Sequence, residues 1–595
     1  MVLQVGDGGR TGLTRGLFFL SLISIGFLLI FLDGLDGRFE RIDVDDALRR
    51  IEVLQLLADG RWFDRTLDVI RMPDAYVSPW SRLVDLPYVL LTWMIEPFTG
   101  REVAAKYAFL VWPPVMFVVF GLLFSASLFR LIPSPSDGVP FWQFMTMAII
   151  AEPVLLEFAP GRIDHHNVQL LLLPFFVYGA LRSDLKGGVL AGVALAASLM
   201  VGLECLPLVA MGAVAVVLVW CVRGASMRTF TLCFLFSCAV TTLLIGYFLV
   251  GAVGLFETRC DSFSAPFAFG LTTMALVAGV VVLTLPNRVS RSVRLFALIG
   301  VGLPTGLLGV VLFSECLAGP YTMVDLVSQR YWFSRLMQEK GLYSIWMAGY
   351  WMEVIRIGFL SMVVVLTGIG LIREGGLDTS GRVIAWIIAG SALVLALVVF
   401  RYSPIAASIG TLFLPFAVHE MAHLWRGGRK GRAVLQIAGA GLICFIATGV
   451  ANAISSTPPN PDVIDYMNAD SCEGEDLSDL DQLSGGRILA PPGVAMAIAS
   501  RMQPGISVAG IPFHRASPGL RRTYEALTSE DPQVRREALA PFDYVAVCRR
   551  TLPAEGERAP LFRALAGGED WPGMTGVGDG KSAFRLFRIE HDTLR

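Results

Sequence analysis

Three short stretches carry residue types that do chemistry. "GRIDHHN", residues 161–167, sets Asp164, His165 and His166 side by side between two apolar runs. A carboxylate and two imidazoles can share a divalent cation: carboxylates suit hard ions such as Mg²⁺ or Mn²⁺, and imidazole widens the choice toward softer metals. "DVDD", residues 43–46, places Asp43, Asp45 and Asp46 before a segment in which Leu48, Ile51, Leu54 and Leu57 recur at helical spacing. "HEMAH", residues 419–423, fits H-E-x-x-H, which sets two imidazoles on one helical face beside a glutamate, as in zinc proteases. Each stretch also has a plainer reading. Asp45 or Asp46 can cap the helix and complement its dipole. His165 and His166 can seal a short loop, and the "HEMAH" side chains can be polar groups at a helix end.

The elements that must position these residues are membrane helices. Of 595 residues, 54% are hydrophobic and 16% charged, with a mean hydropathy of +0.62. Soluble domains carry about 25% charged residues, so the composition is that of a multi-pass integral membrane protein, and no nucleic-acid partner is expected. Apolar runs fall near 16–32, 104–130, 139–159, 168–182, 187–204, 206–222, 229–252, 266–286, 295–315, 354–372, 383–400, 403–424 and 433–453. They predict about thirteen transmembrane helices, each near the ~20 residues a bilayer requires. Arg10 and Arg15 precede the first run, which reads as a retained signal anchor with the N-terminus inside.

The run 86–98, interrupted by Pro87 and Glu96, reads as interfacial or re-entrant. The basic residues support leaving it out of the count. Arg182 and Lys186, Arg223 and Arg228, "NRVSRSVR", Arg373 and Arg382, and "RGGRKGR" then all fall in cytoplasmic loops, as the positive-inside rule requires. This topology predicts outer segments at 33–101, 160–167 and 316–353, with everything after 454 also outside.

The expected organisation is a transmembrane catalytic domain over 1–454 and a small outward α/β domain over 455–595. In the latter, "GGRILAPP", "ISVAGIPF", "DYVAVCRR" and "SAFRLFRIE" read as strands; "GVAMAIASRM", "GLRRTYEALTS" and "PQVRREALAPF" read as helices. The nine cysteines follow no metal-ligand spacing. Cys260 and Cys316 lie at the outer ends of neighbouring spans, and Cys472 and Cys548 share the outer domain. Both pairs are disulfide candidates in an oxidising compartment.

A D-x-D in the first outer loop before an interfacial helix, then a second acidic motif after the third span, resembles the GT-C superfamily of membrane glycosyltransferases. The catalytic subunit of oligosaccharyltransferase is the particular likeness. Its eukaryotic members carry E-F-D-P-W-F-N, against which "DVDDALR" sets Asp43 at the Glu and Asp45 at the catalytic Asp. Archaeal members carry D-H-H in the second loop, matching Asp164, His165 and His166.

The segment 316–353 holds the place of the family's mobile fifth external loop. That loop's Ser-x-x-Glu appears here as "SRLMQE", with Gln338 and Glu339 one or two places late. Arg401, in "FRYSPIA", matches the family's lipid-phosphate arginine in position, and Trp80 and Arg82 of "SPWSRLVDLP" are expected near the donor. The W-W-D motif that reads the Asn-x-Ser/Thr acceptor is absent; the only Trp of the tail is Trp571.

The resemblance implies a glycosyltransferase of the EC 2.4 class. It would move a sugar or glycan from a polyprenyl-phosphate or -diphosphate carrier to a lipid, polysaccharide or protein acceptor, with its site facing the periplasm of a bacterial inner membrane. Asp45 would take the acceptor's proton or orient the acceptor. Asp45, Asp164, His165 and His166 would converge on a divalent cation, expected to be Mg²⁺ or Mn²⁺, and Arg401 would hold the donor phosphate.

Two alternatives come from other classes. One is an intramembrane zinc protease using His419, Glu420 and His423, with "LDGLDG" at 32–37 as a distant further ligand. The topology sets these two stretches on opposite sides of the ~30 Å hydrocarbon layer. The other is a transporter or scaffold without turnover.

Overall fold

The computed structural model describes residues 12–36, 42–132, 138–373, 380–426, 428, 431, 462–552, 558–578 and 580–594. Among the described residues, nine helices are long and apolar enough to cross a membrane: Arg15–Asp33, Arg101–Leu131, Leu203–Arg223, Ala225–Phe256, Ala265–Thr284, Arg291–Leu312, Trp351–Arg373, Ser380–Val398 and Phe400–Trp425.

The sequence pattern predicts about thirteen, and the difference has local causes. Run 139–159 divides into Phe141–Ile150 and Glu152–Leu156. Pro153 has no N–H to bond the Ile149 carbonyl, so the ladder of the first helix cannot continue through it, and the chain breaks at Ala151. Run 168–182 lies in the helix His165–Arg182, whose first turn is polar. Run 187–204 gives a helix of 17 residues, Leu185–Val201, which ends at Gly202. Run 433–453 and most of "RGGRKGR" lie outside the described residues. The excluded run 86–98 is part of a helix, Arg82–Thr99, that is not among the nine.

The chain forms two compact units. The helical unit comprises residues 1–41, 81–317 and 338–456. Its helices pack through small residues, as expected where lipid removes the hydrophobic drive and close backbone approach must supply the contact. A Cβ at Gly188 would stand 2.4 Å from the Phe230 carbonyl oxygen, and one at Gly192 would stand 2.3 Å from that of Phe234. Helix Arg15–Asp33 buries Phe18, Leu22, Gly26 and Ile30, one side chain per turn. Its other face exposes Leu17, Leu20, Phe27, Leu28 and Phe31, as a helix bordered by lipid would. Cys260 and Cys316 are bonded, with Cα atoms 5.1 Å apart.

The second unit comprises residues 42–80, 318–337 and 457–595. Seven strands form one sheet in the order β2-β1-β4-β3-β5-β7-β6, with β1 Thr66–Arg71, β2 Ala75–Val77, β3 Gly486–Leu489, β4 Ile506–Val508, β5 Tyr544–Cys548, β6 Met574–Val577 and β7 Phe584–Ile589. Strands β1, β4, β3 and β5 run parallel; β2, β7 and β6 are antiparallel to their neighbours. Both faces are covered, and alternate residues sort accordingly. Ile488, Ala546 and Leu586 enter one core; Leu489, Val545, Val547 and Phe587 enter the other. Cys472 and Cys548 are bonded within this unit, with Cα atoms 5.7 Å apart.

Two expectations are corrected here. The sheet domain does not begin at 455: β1 and β2 come from the segment 33–101 expected to be the first outer loop, and Ile70 of β1 pairs with Val508 of β4. A strand of six residues has no stability alone, so it completes the sheet edge that the distant tail provides. The helix after "DVDD", Val44–Asp59, does not rest its apolar stripe on an interface. Leu48 and Ile51 are buried in the core on one face of the sheet.

Candidate functional site

The stretch "GRIDHHN" begins with Gly161 at φ 89°, a left-handed conformation that a side chain would strain. The turn is fastened by Arg162 to Glu157 at 2.7 Å and by the Asn167 amide to the Arg162 carbonyl at 2.7 Å. Asp164 stands at the N-cap position of His165–Arg182 but makes no capping bond through its side chain. Its carboxylate instead meets both imidazoles: Oδ1 contacts His165 Nδ1, and Oδ2 lies 3.3 Å from His166 Nε2. The two rings stack with centroids 4.5 Å apart. Asp164, His165 and His166 each offer a ligand atom, and these atoms all lie within 4.8 Å of one another.

A fourth side chain completes the cluster, and sequence reasoning missed it. Glu204 lies in the 3-10 turn Leu203–Cys205, where Gly202 ends one helix and the next begins. Its Oε1 is 3.2 Å from His165 Nε2 and 3.5 Å from His166 Nδ1. Gln169 sets this turn against the histidine helix by donating to the Ser198 carbonyl at 2.9 Å and the Gly202 carbonyl at 3.4 Å. The available signal was a lone acid in "GLECLP", between two apolar runs, since ionisable groups at membrane depth mark function by default.

Arg401 joins from the turn Phe400–Tyr402. Its guanidinium reaches Glu204 Oε2 at 3.8 Å and Glu339 Oε1 at 2.5 Å. The Phe400 amide donates to the Lys340 carbonyl at 2.8 Å, and the Tyr402 hydroxyl donates to the Glu204 carbonyl at 2.5 Å. Five residues singled out from sequence or resemblance therefore meet around Glu204: Asp164, His165, His166, Glu339 and Arg401. Gln338 shares the 3-10 turn Met337–Glu339.

The remaining candidates are described within their own units. Asp43 and Asp45 belong to the sheet unit. Asp43 is the N-cap of Val44–Asp59: its carboxylate accepts from the amides of Asp45 and Asp46, and the Asp46 carboxylate accepts from the Asp43 amide. The capping residue is thus Asp43, not Asp45 or Asp46, because the helix starts at Val44, two residues before the start that a cap at Asp45 would set. Trp80 is also in the sheet unit, its ring 4.5 Å from the Arg49 guanidinium and 5.3 Å from the Phe513 ring. Arg82 belongs to the helical unit, where it makes a buried pair with Asp85 at 3.0 Å.

"HEMAH" lies on the helix Leu414–Arg426. Arg373 pairs with the buried Glu420 at 2.6 Å and reaches His423 Nδ1 at 3.0 Å. Among the described residues, the groups spaced to hold a metal are Asp164–His165–His166 and Asp470–Cys472–Cys548, and "HEMAH" is not one of them. The second group contains a disulfide. The protease alternative is not favoured.

No family model matches the chain, and no curated protein matches it. Solved structures do. The oligosaccharyltransferase AglB of Archaeoglobus fulgidus, in complex with an inhibitory peptide and a dolichol-phosphate, aligns with a TM-score of 0.56 at 12% identity, over 90% of this chain and 70% of that one. The same organism's enzyme tethered to an acceptor peptide containing the NVT sequon aligns at 0.55, with 10% identity over 89% and 69%. Its complex with Zn and sulfate aligns at 0.53, with 12% identity over 89% and 68%. The chain therefore shares the fold of these archaeal oligosaccharyltransferase structures.

Proposed function

We propose that this chain is a membrane glycosyltransferase of the GT-C type. It moves a sugar or glycan from a polyprenyl-phosphate or -diphosphate carrier to an acceptor on the outer face of the membrane, in a bacterium the periplasmic face of the inner membrane. One observation carries this reading: in a chain with that fold, the consecutive Asp164, His165 and His166 and the distant Arg401 meet around Glu204. Arg401 binds the carrier's phosphate, because a guanidinium pairs two hydrogen bonds with phosphate oxygens.

Asp164, His165 and His166 fit a divalent cation by spacing and donor set. Mn²⁺ or Zn²⁺ suits the two imidazoles better than Mg²⁺ does. Such an ion supplies neutralisation of charge on a leaving phosphate. In the reaction, the bond from the anomeric carbon to the carrier's phosphate oxygen breaks and the phosphate leaves with the electron pair. The acceptor's oxygen or nitrogen forms the new bond and gives up a proton. Asp45 keeps the role of taking that proton on the ground of residue type and the family resemblance. Without W-W-D, an acceptor other than the Asn-x-Ser/Thr sequon is favoured.

The test is mass spectrometry of envelope glycans and glycoproteins with and without the gene. A glycan or glycoconjugate missing from the deletion strain, and restored by the wild-type gene, is the expected result. Identical profiles under conditions where the gene is expressed would refute the proposal.

A further inference from the structure

Glu204 is an acid in an apolar stretch, with its side chain only 11% exposed. Burying a carboxylate is costly unless it is paired, so its partners indicate what it does. With Asp164, His165 and His166 it forms a closed ring in which carboxylates and imidazoles alternate. His165 turns Nδ1 to Asp164 and Nε2 to Glu204. His166 turns Nε2 to Asp164, at 3.3 Å, and Nδ1 to Glu204, at 3.5 Å. The two rings therefore use opposite nitrogens toward the same carboxylate.

A neutral imidazole carries one N–H and one lone pair, and the partner of the N–H decides which nitrogen keeps the lone pair. When Glu204 accepts from His165 Nε2–H and from His166 Nδ1–H, the lone pairs left over are on His165 Nδ1 and His166 Nε2. Both then face Asp164. From this geometry we infer that Glu204 is the positioning residue of the cation site, the carboxylate that selects both histidine tautomers and turns both lone pairs toward Asp164. Metal-binding histidines commonly donate their second N–H to such a carboxylate.

The turn that carries Glu204 is held from two sides. Tyr402 donates to its carbonyl at 2.5 Å, and Gln169 donates to that of Gly202 at 3.4 Å. Arg401, 3.8 Å from Oε2, offsets its charge. The same residue thus joins the cation site to the arginine assigned to the donor phosphate. The inference rests on reading Asp164, His165 and His166 as a cation site.

The test is Mn²⁺ binding by the full-length protein in detergent, read from the electron paramagnetic resonance signal of the free ion. Wild type, Glu204→Ala, Glu204→Gln and Asp164→Ala are compared, each checked by thermal unfolding. Glu204→Ala is expected to weaken Mn²⁺ binding about 10–100-fold. Glu204→Gln should recover part of that loss, because its carbonyl oxygen still accepts from a ring N–H. Asp164→Ala should abolish binding. If Glu204→Ala does not fold, Glu204→Gln carries the test, with intermediate affinity expected and wild-type affinity overturning the proposal.

Other results separate the possible failures. Wild-type affinity in Glu204→Ala beside loss in Asp164→Ala removes the positioning role and leaves the cation site. Complete loss in both Glu204 variants makes Glu204 a ligand rather than a positioning residue. No binding by wild type removes the cation site and this inference together, while the fold likeness and the role of Arg401 stand.

Discussion

Two clusters in the helical unit use the same residue types to opposite effect. Around Glu204, two carboxylates face two imidazoles and Arg401 stands at the edge, engaged with Glu339 at 2.5 Å and with Glu204 only at 3.8 Å. At "HEMAH", one guanidinium serves both motif members, with Arg373 on Glu420 at 2.6 Å and on His423 at 3.0 Å. Arginine does not deprotonate in proteins, so the second cluster is internally neutralised and places a fixed positive charge where a metal would bind. The first cluster has an excess of carboxylate over fixed cation, which favours a bound cation. The better sequence motif belongs to the internally neutralised cluster. A signature within one helix is satisfied by spacing alone, whereas a site needs groups to converge with the right charge balance.

The largest expected effect sharpens this contrast directly. Asp164→Asn and Asp45→Asn should each lower the initial rate of sugar transfer in proteoliposomes by about 100-fold or more, the scale expected for a group handling charge or a proton at the reacting centre. His419→Ala should leave that rate unchanged. The reverse pattern would make "HEMAH" the working cluster.

Arg373→Met leaves Glu420 buried without its cation and should destabilise the protein by about 3 kcal/mol, seen as a lower unfolding temperature in detergent. Transfer per folded molecule should hold. Activity lost at unchanged stability would instead give this cluster a functional role. Arg401→Lys keeps the charge at the first cluster but removes the forked donor. The Michaelis constant for the lipid-linked donor should rise about tenfold, with a smaller change in turnover; an unchanged value would remove Arg401 from the phosphate site.

The smallest effect lies in the sheet unit. Burial alone would raise the carboxyl pKa of Asp325, but hydrogen bonds from Ser328 and Ser517 outweigh it and hold the group below its ordinary value. A depressed carboxyl contributes stability that is present above its unfolded pKa and lost as pH falls through the folded one. The wild type should therefore lose more unfolding temperature between pH 6 and pH 3 than Asp325→Asn does. Equal losses would mean that this carboxylate is not part of the acid response.

Much of the fold was legible, because its signals are local. The runs 266–286 and 354–372 became the helices Ala265–Thr284 and Trp351–Arg373 with little change. The short apolar run in "DYVAVCRR" became β5, and "GLRRTYEALTS" became the helix Ser517–Thr528. Less legible were runs whose boundary depends on a neighbour. Strand β1 is six residues of unremarkable pattern, recognisable only once β4 offers an edge to pair with. Of the candidate site, Asp164, His165, His166 and Arg401 could be named from residue type and resemblance. Glu204 offered only the weaker signal of a lone acid among apolar residues, with no spacing to tie it to the histidines.

By itself, the sequence determined that this is a multi-pass membrane protein with an α/β tail, and it supplied the acid and imidazole residues of a candidate cation site. Hydropathy and side-chain periodicity are properties of neighbouring residues, so those conclusions need no knowledge of the whole. Only the tertiary structure decided that Glu204 and Arg401 come to the histidine pair, that Glu339 meets Arg401, and that Arg373 neutralises "HEMAH". Each of these depends on helices and turns remote in sequence coming together. Those contacts form between surfaces, and no stretch of chain holds both surfaces at once.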